Sequence, residues 1–146
     1  MTGLRPETLD LIGFIESAKI YLSEFQERFK INCQFESDIS KLEMSTRQLV
    51  ALFRILQESL TNVARHAKAS EVKVQLSMQA NKLIMEIIDN GIGFNSNHKI
   101  KNDSYGLIGM RERVLLLEGE LFIIGQIDQG TTVRIEIPYL IPKPSR

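Results

Sequence analysis

Four polar side chains that could handle phosphates and a metal ion fall close together in one predicted helix. The stretch "QESLTNVARHAKA" (57–69) contains Glu58, Asn62, Arg65 and His66. With about 100° of rotation per residue, they share one face of that helix. Mg²⁺ typically takes only one or two protein oxygens besides phosphate oxygens and water, and Asn62 could supply one. Arg65 could meet a phosphate, and Glu58 could orient or deprotonate a nucleophile.

The opposite face of the same helix is apolar and predicts contact with a core. Its residues recur at helical spacing: Leu49, Phe53, Leu56, Leu60 and Val63. A solvated polar face with intrahelical ion pairs is the ordinary explanation for a polar stripe of this kind. The stripe alone therefore does not identify a site, and a second group of residues is needed.

A strand that ends in an acidic residue supplies that second group. In "LIMEIIDNGIGF" (83–94), Leu83, Met85 and Ile87 share one face, and the period of two places Asp89 on that face as well. A buried carboxylate needs a hydrogen-bond donor, either from the protein or from a ligand. The exocyclic amine of a purine is a suitable donor.

Two glycine-containing stretches flank the polar loop that follows this strand. Gly91 and Gly93 would let the backbone approach a flat ligand closely, although Asn90-Gly91 is also an ordinary turn sequence. In "GLIGM" (106–110), two glycines stand where the loop enters a helix, whose free amides favour anions. A flexible hinge explains the second stretch equally well.

The elements that would carry these residues follow from periodicity and turn signals. We expect an α+β fold, a two-layer α/β sandwich with helices on one face of a sheet. The predicted elements are a helix over 5–30, a strand over 31–37, a helix over 45–67 capped by Ser45 or Thr46, a hairpin turned at Ala80-Asn81, a helix over 106–119 ended by Gly119, and two strands with Gly130 at their turn.

Composition limits the classes of function. The 146 residues suit one domain, and 18 basic residues balance 18 acidic ones. This balance predicts no general attraction to nucleic acid or to a membrane surface. Cys33 is the only cysteine, which excludes an intrachain disulfide and favours a reducing compartment. No apolar run is long enough to span a bilayer.

Taken together, the motifs identify a family. "QESLTNVARHAKA", "DNGIGF", "GLIGMRERV" and "GTTVRIEIP" follow one another in an order that closely resembles the ATP-binding catalytic domain of two-component sensor histidine kinases, in the GHKL ATPase superfamily. The nitrate-sensor-type subgroup is the most similar, and the resemblance covers about residues 4–138. It implies a Bergerat-type fold with a mixed sheet of about five strands and three helices. It also implies a connector or first helix of the catalytic domain over 1–30, the ATP-binding catalytic domain over 31–138 and a frayed tail over 139–146.

The same resemblance implies the ligands ATP and Mg²⁺. Asn62 would be the metal ligand and, with Glu58, a catalytic residue. The other implied nucleotide-binding residues are Arg65 and His66 near the phosphates, Asp89, Gly91 and Gly93 around the adenine, Gly106, Leu107 and Gly109 at the end of an ATP lid, and Thr131 beside Asp89. The lid itself would comprise residues 95–105. Thr131 would support Asp89 through its hydroxyl, and the family often has glycine where Asp128 stands here.

The implied reaction is transfer of the ATP γ-phosphate to a histidine on a dimerisation domain. Lys99, Lys101 and Arg65 would offset negative charge during the transfer. Neither His66, in the nucleotide motif, nor His98, in the lid, suits the acceptor role, so we expect the acceptor outside this chain. Expected partners are that domain and a response regulator. The isolated chain is expected to be a monomer. We expect it in the cytoplasm, either as a cytoplasmic protein or as the cytoplasmic part of a membrane-anchored sensor.

Three other functions use the same motifs. A nucleotide-binding module that does not catalyse would need the same residues, and phosphate transfer to a supplied dimerisation domain would separate the two. An anti-sigma-type serine kinase is less compatible with the opening "LRPETLDLIGF" (4–14), which resembles a connector. A slow ATPase like the gyrase relatives would need a transducer domain, for which the sequence has no indication.

Overall fold

Three helices and five strands account for residues 6–93 and 107–139, which are the parts of the chain that this computed structural model describes. The helices are α1 (Pro6–Phe29), α2 (Thr46–Asn62), which continues into a π-helical turn (Val63–Ala67), and α3 (Leu107–Leu116). The strands are β1 (Asn32–Ser37), β2 (Glu71–Gln79), β3 (Lys82–Asp89), β4 (Glu120–Gln126) and β5 (Gly130–Pro138). The predicted α+β class and element order are confirmed.

The strands form one mixed sheet in the order β1-β2-β3-β5-β4. β1 pairs with β2 in parallel, and all the other pairs are antiparallel. The β2–β3 hairpin turns at Ala80 and Asn81, whose φ angles are 46° and 64°. Two consecutive positive φ angles give the turn type that matches the twist of paired strands. The predicted mixed sheet and hairpin turn are therefore both present.

The two faces of the sheet differ in polarity, as the period of two requires. Inward-facing side chains of the central strands are buried: Val72, Val74, Leu76, Leu83, Met85, Ile87, Ile135 and Ile137. On the open face, Arg134 pairs with Glu136 at 2.8 Å and with Glu86 at 3.4 Å, and Lys82 lies 3.4 Å from Glu136. The helices consequently cover only the apolar side.

Helix α2 begins at the predicted cap and packs on α1. Ser45 Oγ accepts from the Gln48 amide at 3.2 Å, and Gln48 Oε1 accepts from the Ser45 amide at 3.0 Å, which forms a reciprocal capping box. Further along, the Phe53 ring meets Phe14 and Tyr21 of α1 edge-on, with centroids 6.1 and 5.6 Å apart. Such contacts add about 0.5–1.5 kcal/mol each beyond area burial.

Helix α1 is interrupted, whereas the sequence predicted one continuous helix over 5–30. Gly13 has φ 84° and ψ 166°, so the element is two helical segments joined by a break. This backbone region is open essentially to glycine alone. Leu9, before the break, and Phe14, after it, are both buried in the core, whereas Leu11 and Ile12 between them are exposed. The break therefore lies within α1 between two segments that both contact the core.

Two other boundaries differ from the prediction. α3 ends at Leu116 and not at 119, because Glu118 adopts a left-handed φ of 56° and the Gly119 amide donates to Val114 O at 3.0 Å.

Tyr139 is buried, and its hydroxyl accepts from the Glu43 amide at 2.8 Å. Tyr139 therefore packs with the domain, although the sequence boundary assigned it to the tail, and residues 140–146 lie outside the described residues.

Removal of the capping box should lower stability without changing the fold. We expect Ser45→Ala to reduce the free energy of unfolding by about 1 kcal/mol, because the Gln48 amide loses its acceptor. Ser40→Ala, in the exposed loop before the helix, is the matched control and should leave the free energy within about 0.5 kcal/mol of the original. Urea denaturation measures both, and equal losses would contradict the assignment of Ser45 as cap.

Candidate functional site

The C-terminal end of α2 carries four of the predicted site residues. Glu58 and Asn62 are half-buried on α2, and Arg65 and His66 are exposed on the π-helical turn that follows. Lys68 ends that turn in the left-handed conformation, with φ 52° and ψ 40°. π-helical turns occur frequently at functional sites, because the additional residue changes which groups face a given side. The sequence predicted the end of this helix at 67 but not the change of helix type.

Asp89 lies at the end of the central strand β3 and is 7% exposed, on the face predicted from the period of two. The Gly91 amide donates to its Oδ1 at 2.8 Å, and the Thr131 amide donates to the same oxygen at 3.3 Å. Burial raises the pKa of Asp89, and these two N–H donors lower it in part. The Thr131 amide thus reaches Asp89 directly, and support through the Thr131 hydroxyl, directly or via water, stays a prediction.

The turn after Asp89 is bonded on both sides to other parts of the chain. The Ile92 amide donates to Ala67 O at 2.7 Å, at the end of the π-helical turn. The Ile92 carbonyl accepts from the Asp128 amide at 2.8 Å, in the β4–β5 turn. Three segments that are distant in sequence therefore meet around residues 89–93, and they bring the Asn62 motif, the Asp89 motif and Thr131 to one place.

The two glycines of this turn are required by the protein's own backbone. A Cβ on Gly91 would overlap the carbonyl group of Ala67, and a Cβ on Gly93 would overlap the carbonyl of Gln126. Gly93 also has a φ of 63°. The sequence analysis selected both glycines for close approach to a ligand. The structure gives them a second role, which is close packing of the turn against the helix end and against β4.

Asn90 has a structural role in this turn beyond the Asn-Gly turn sequence that was predicted. Its Oδ1 accepts from the backbone amides of Ser70 and Glu71 at 2.9 and 3.0 Å, and its Nδ2 donates to Ser70 Oγ at 2.9 Å. The side chain therefore fastens the turn to the beginning of β2. Asparagine commonly satisfies backbone groups in this way, so an Asn-Gly pair after a buried strand is the signal that could have identified it.

The β4–β5 turn completes the surroundings of Asp89. A Cβ on Gly130 would overlap the Asp89 carbonyl, so this turn lies directly against the end of β3. Asp128 adopts a left-handed φ of 61°. Glycine adopts this conformation most readily, and aspartate is among the other residues that tolerate it best. The departure at Asp128 therefore leaves the turn intact.

The structure describes only part of the predicted lid region. Leu107 is the first residue of α3 and is buried, and Gly109 lies in the first turn of that helix. A Cβ on Gly109 would meet only the end of the Arg113 side chain, at 3.0 Å. Gly106 and the lid over 95–105, with Lys99 and Lys101, lie outside the described residues.

A cavity of about 330 Å³ is lined in part by Asp89. Its lining comes mainly from outward-facing residues of β1 and β2, together with Asn90 and Gln129. Asn62, Gly91 and Thr131 do not contribute to it. Of the predicted site residues in the described ranges, Asp89 alone lines this cavity, so the cavity meets the predicted site at the end of β3.

One side chain beside Glu58 is buried with an unmet hydrogen-bond donor. Gln57 is 6% exposed, and its Oε1 accepts from Arg54 Nη1 at 3.0 Å. Its Nε2 is buried and has no hydrogen-bond partner within the described ranges. An unmet buried donor costs about 1–3 kcal/mol, so Gln57 stabilises the fold less than an apolar residue of similar size would.

An open mixed sheet with three helices on one face and a buried aspartate ending its central strand is the arrangement that the resemblance to GHKL ATPases predicts. The family assignment agrees with it. The chain belongs to the family described as "Histidine kinase-, DNA gyrase B-, and HSP90-like ATPase", which its residues 48–141 match.

Curated relatives are longer proteins. The chain is 43% identical over 136 residues to "Signal transduction histidine-protein kinase/phosphatase DegS" of Brevibacillus brevis, covering 92% of this chain and 35% of the relative. It is 32% identical over 135 residues to "Oxygen sensor histidine kinase NreB" of Staphylococcus carnosus, covering 92% of this chain and 39% of that protein. The chain thus spans little more than a third of the length of the relatives it matches.

Solved structures share the fold at low sequence identity. The histidine kinase domain of a blue-light activated histidine kinase from Erythrobacter litoralis superposes with a TM-score of 0.74 at 21% identity, covering 86% of this chain and 60% of that one. The catalytic domain of the histidine kinase ThkA gives 0.66 at 16% identity, covering 88% of this chain and 91% of that one. At these identities the similarity concerns the fold.

Removal of the Asn90 side chain should loosen the turn that carries the site. We expect Asn90→Ala to lower the free energy of unfolding by about 1–3 kcal/mol, because two backbone amides lose their acceptor and each such bond is worth roughly 0.5–1.5 kcal/mol. Asn90→Asp keeps an acceptor for both amides and should lose clearly less. Urea denaturation distinguishes them, and equal losses would show that the acceptor oxygen is not what matters.

Proposed function

We propose that this chain is the ATP-binding catalytic domain of a sensor histidine kinase, with residues 1–30 as its connector and first helix, the domain continuing to Tyr139 and residues 140–146 as a tail. The domain would transfer the γ-phosphoryl group of ATP to a histidine on a dimerisation domain, for onward transfer to a response regulator. The observation that carries the proposal is the buried Asp89 carboxylate, which two backbone amides hold at the end of β3.

Asp89 would recognise the adenine. Both hydrogen bonds that reach it from the described residues fall on Oδ1, so a ligand amine would donate to Oδ2. Burial disfavours the ionised carboxylate, and a donor on the ligand would compensate for the lost hydration. Gly91 and Gly93 would form the wall of the same pocket, because their backbone lies close to the helix end and to β4.

The phosphates would be contacted by Asn62, Arg65 and His66. The end of the lid would contribute Gly106, Leu107 and Gly109. Within residues 6–93 and 107–139, no three His, Cys, Asp or Glu side chains stand together as a metal cage. The donor set instead fits Mg²⁺, which requires only one or two protein oxygens when phosphates complete its shell. Asn62 would hold it, and the ion would offset the phosphate charge.

Glu58, one turn before Asn62 on α2, would act on the acceptor histidine. It is half-buried, so it combines contact with the domain and access from outside. As a base it would take the proton of the attacking imidazole. The names of the relatives, which include two histidine kinases, support this reaction over a module that only binds nucleotide or a serine kinase of the same superfamily.

We place this activity in the cytoplasm, where ATP and response regulators are found. None of the helices in the described parts of the chain has the length and hydropathy that crossing a bilayer requires. His66 lies on the π-helical turn beside Asn62, and we propose it for phosphate contact and not as acceptor. His98 lies outside the described residues.

Asp89→Asn should weaken nucleotide binding without unfolding the domain. Loss of a charge-assisted hydrogen bond to the adenine amine amounts to about 1.5–3 kcal/mol, or roughly a 10- to 150-fold increase in Kd. Calorimetric titration with ATP and ADP, with and without Mg²⁺, measures the change. Because Asn keeps an acceptor for the Gly91 and Thr131 amides, the free chain should remain folded. Unchanged affinity would exclude Asp89 as the adenine acceptor.

Acidification provides a control in the unmodified chain. Because burial raises the pKa of Asp89 above its ordinary value of 3.8, the free protein takes up a proton there at a higher pH than an exposed aspartate would. A ligand amine needs the ionised form, so adenine affinity should be complete above the raised pKa and be lost as the pH falls through it. Asp89→Asn should lack this dependence. The folding stability of the free chain depends on pH in the opposite direction. Buried, ionised Asp89 lowers the free energy of unfolding at neutral pH, and this loss is relieved as the pH falls through the raised pKa.

Glu58→Gln should slow phosphoryl transfer while leaving ATP binding intact. Labelled ATP and a dimerisation domain from a relative, supplied in trans, provide the assay. We expect a loss of about 10²- to 10⁴-fold in the transfer rate, the range typical of a general base. Glu27→Gln, an exposed carboxylate of α1, is the matched control and should have no effect. Transfer at the original rate by the Glu58→Gln variant would remove Glu58 from the mechanism.

A further inference from the structure

Two opposite charges lie one turn apart on α2 and do not pair. Arg54 and Glu58 stand at positions i and i+4, where side chains are neighbours on the helix surface and ordinarily form an ion pair. Here Arg54 Nη1 donates to Gln57 Oε1 at 3.0 Å. Within the part of the chain that the structure describes, the Glu58 carboxylate enters no ion pair and no hydrogen bond.

The two charged side chains lie near the same residue of α1 but differ in exposure. Both lie near Tyr21 of α1, whose pKa is raised mainly by burial and is influenced by the charges of Arg54 and Glu58 among others. Arg54 is exposed and Glu58 is half-buried, so the guanidinium has freedom to move over the helix surface. The contact that fixes its position is the one to Gln57.

Gln57 contacts Arg54 while one of its own hydrogen-bond donors is left without a partner among the described residues. Its Oε1 is directed to Arg54, and its Nε2 is buried without a partner among the described residues. A methionine of similar length would fill the same space without burying an unpaired amide, and would thus serve packing better. The choice of glutamine at this position therefore points to a role for its contact with Arg54 and not to stability.

We propose that Gln57 is a positioning residue that holds the Arg54 guanidinium away from Glu58 and so leaves the Glu58 carboxylate unpaired for the acceptor histidine. The inference rests on the proposed function, in which Glu58 takes a proton from the attacking imidazole. A neighbouring cation favours the ionised form of a carboxylate and weakens it as a base. Gln57 would act only through Arg54 and would touch neither nucleotide nor acceptor.

The test is a set of variants at positions 54 and 57 in the transfer assay. Gln57→Met frees Arg54 to pair with Glu58, and we expect transfer to slow by about three- to fivefold, the factor that a partly exposed ion pair supplies. The Kd for ATP should not change, and the urea midpoint should stay the same or rise. Added salt should restore part of the rate, because it screens the new ion pair. A residue needed only for packing would not produce this combination.

Arg54→Met supplies the decisive control. Combined with Gln57→Met, it should return the rate to the original value, because no guanidinium remains to pair with Glu58; alone, it should change the rate little. In the Glu58→Gln background, Gln57→Met should have no further effect. If the double variant at 54 and 57 is as slow as Gln57→Met, the inference is wrong while the proposed function stands. If Glu58→Gln itself transfers at the original rate, both fail, and the two results are distinguishable.

Discussion

The hydrogen bond from the Ile92 amide to the Ala67 carbonyl, 2.7 Å long, joins the two segments that carry the Asn62 and Asp89 motifs. The last carbonyls of a helix have no partner within the helix, so the end of the helical run at Ala67 needs an outside donor. Ile92 provides it. The contact is possible only because Gly91 has no side chain, since a Cβ there would overlap the Ala67 carbonyl. The end of the polar helix and the end of the central strand are therefore fixed to each other by backbone groups.

That constraint also explains how Asp89 can be buried. The turn held by Ala67 directs the Gly91 amide to Asp89 Oδ1, and the β4–β5 turn, bonded to the Ile92 carbonyl, brings the Thr131 amide to the same oxygen. Two N–H groups do not replace the hydration that the carboxylate loses, and its pKa remains raised. The free protein thus keeps a polar group that is only partly satisfied at the place where a ligand with a donor would bind.

Local rules allowed the sequence to predict much of this arrangement. The Ser45 cap, the Ala80-Asn81 turn and the inward direction of Asp89 each depend on residues that are close in sequence, and all are present in the structure. The contacts that assemble the site join Ala67 to Ile92 and Ile92 to Asp128, and no periodicity reports such pairs. The break at Gly13 was missed because an isolated glycine in a helical pattern is usually tolerated.

Gly91 and Gly93 show a further limit of sequence reasoning. Each was selected because a ligand would need close access to the backbone, and each is required in the structure by a neighbouring carbonyl of the protein itself. Ligand contact and close packing both require the absence of a Cβ at these positions, so the presence of glycine does not distinguish the two roles. Separation requires a measurement that one demand affects and the other does not, such as nucleotide affinity compared with unfolding free energy.

Buried polar groups in this domain differ in how fully their hydrogen-bonding capacity is used. The incompletely bonded groups lie at the proposed site. Cys33 is half-buried away from it, and burial raises the pKa of its thiol to about 11, so it remains a neutral, small apolar side chain. Asp89 and Gln57 instead bury polar atoms that are incompletely satisfied. Natural sequences keep such local conflicts mainly where function requires them. The two conflicts lie at the adenine end and at the Glu58 end of the proposed site, which is the distribution expected if nucleotide recognition and acceptor activation are the two tasks that this domain performs.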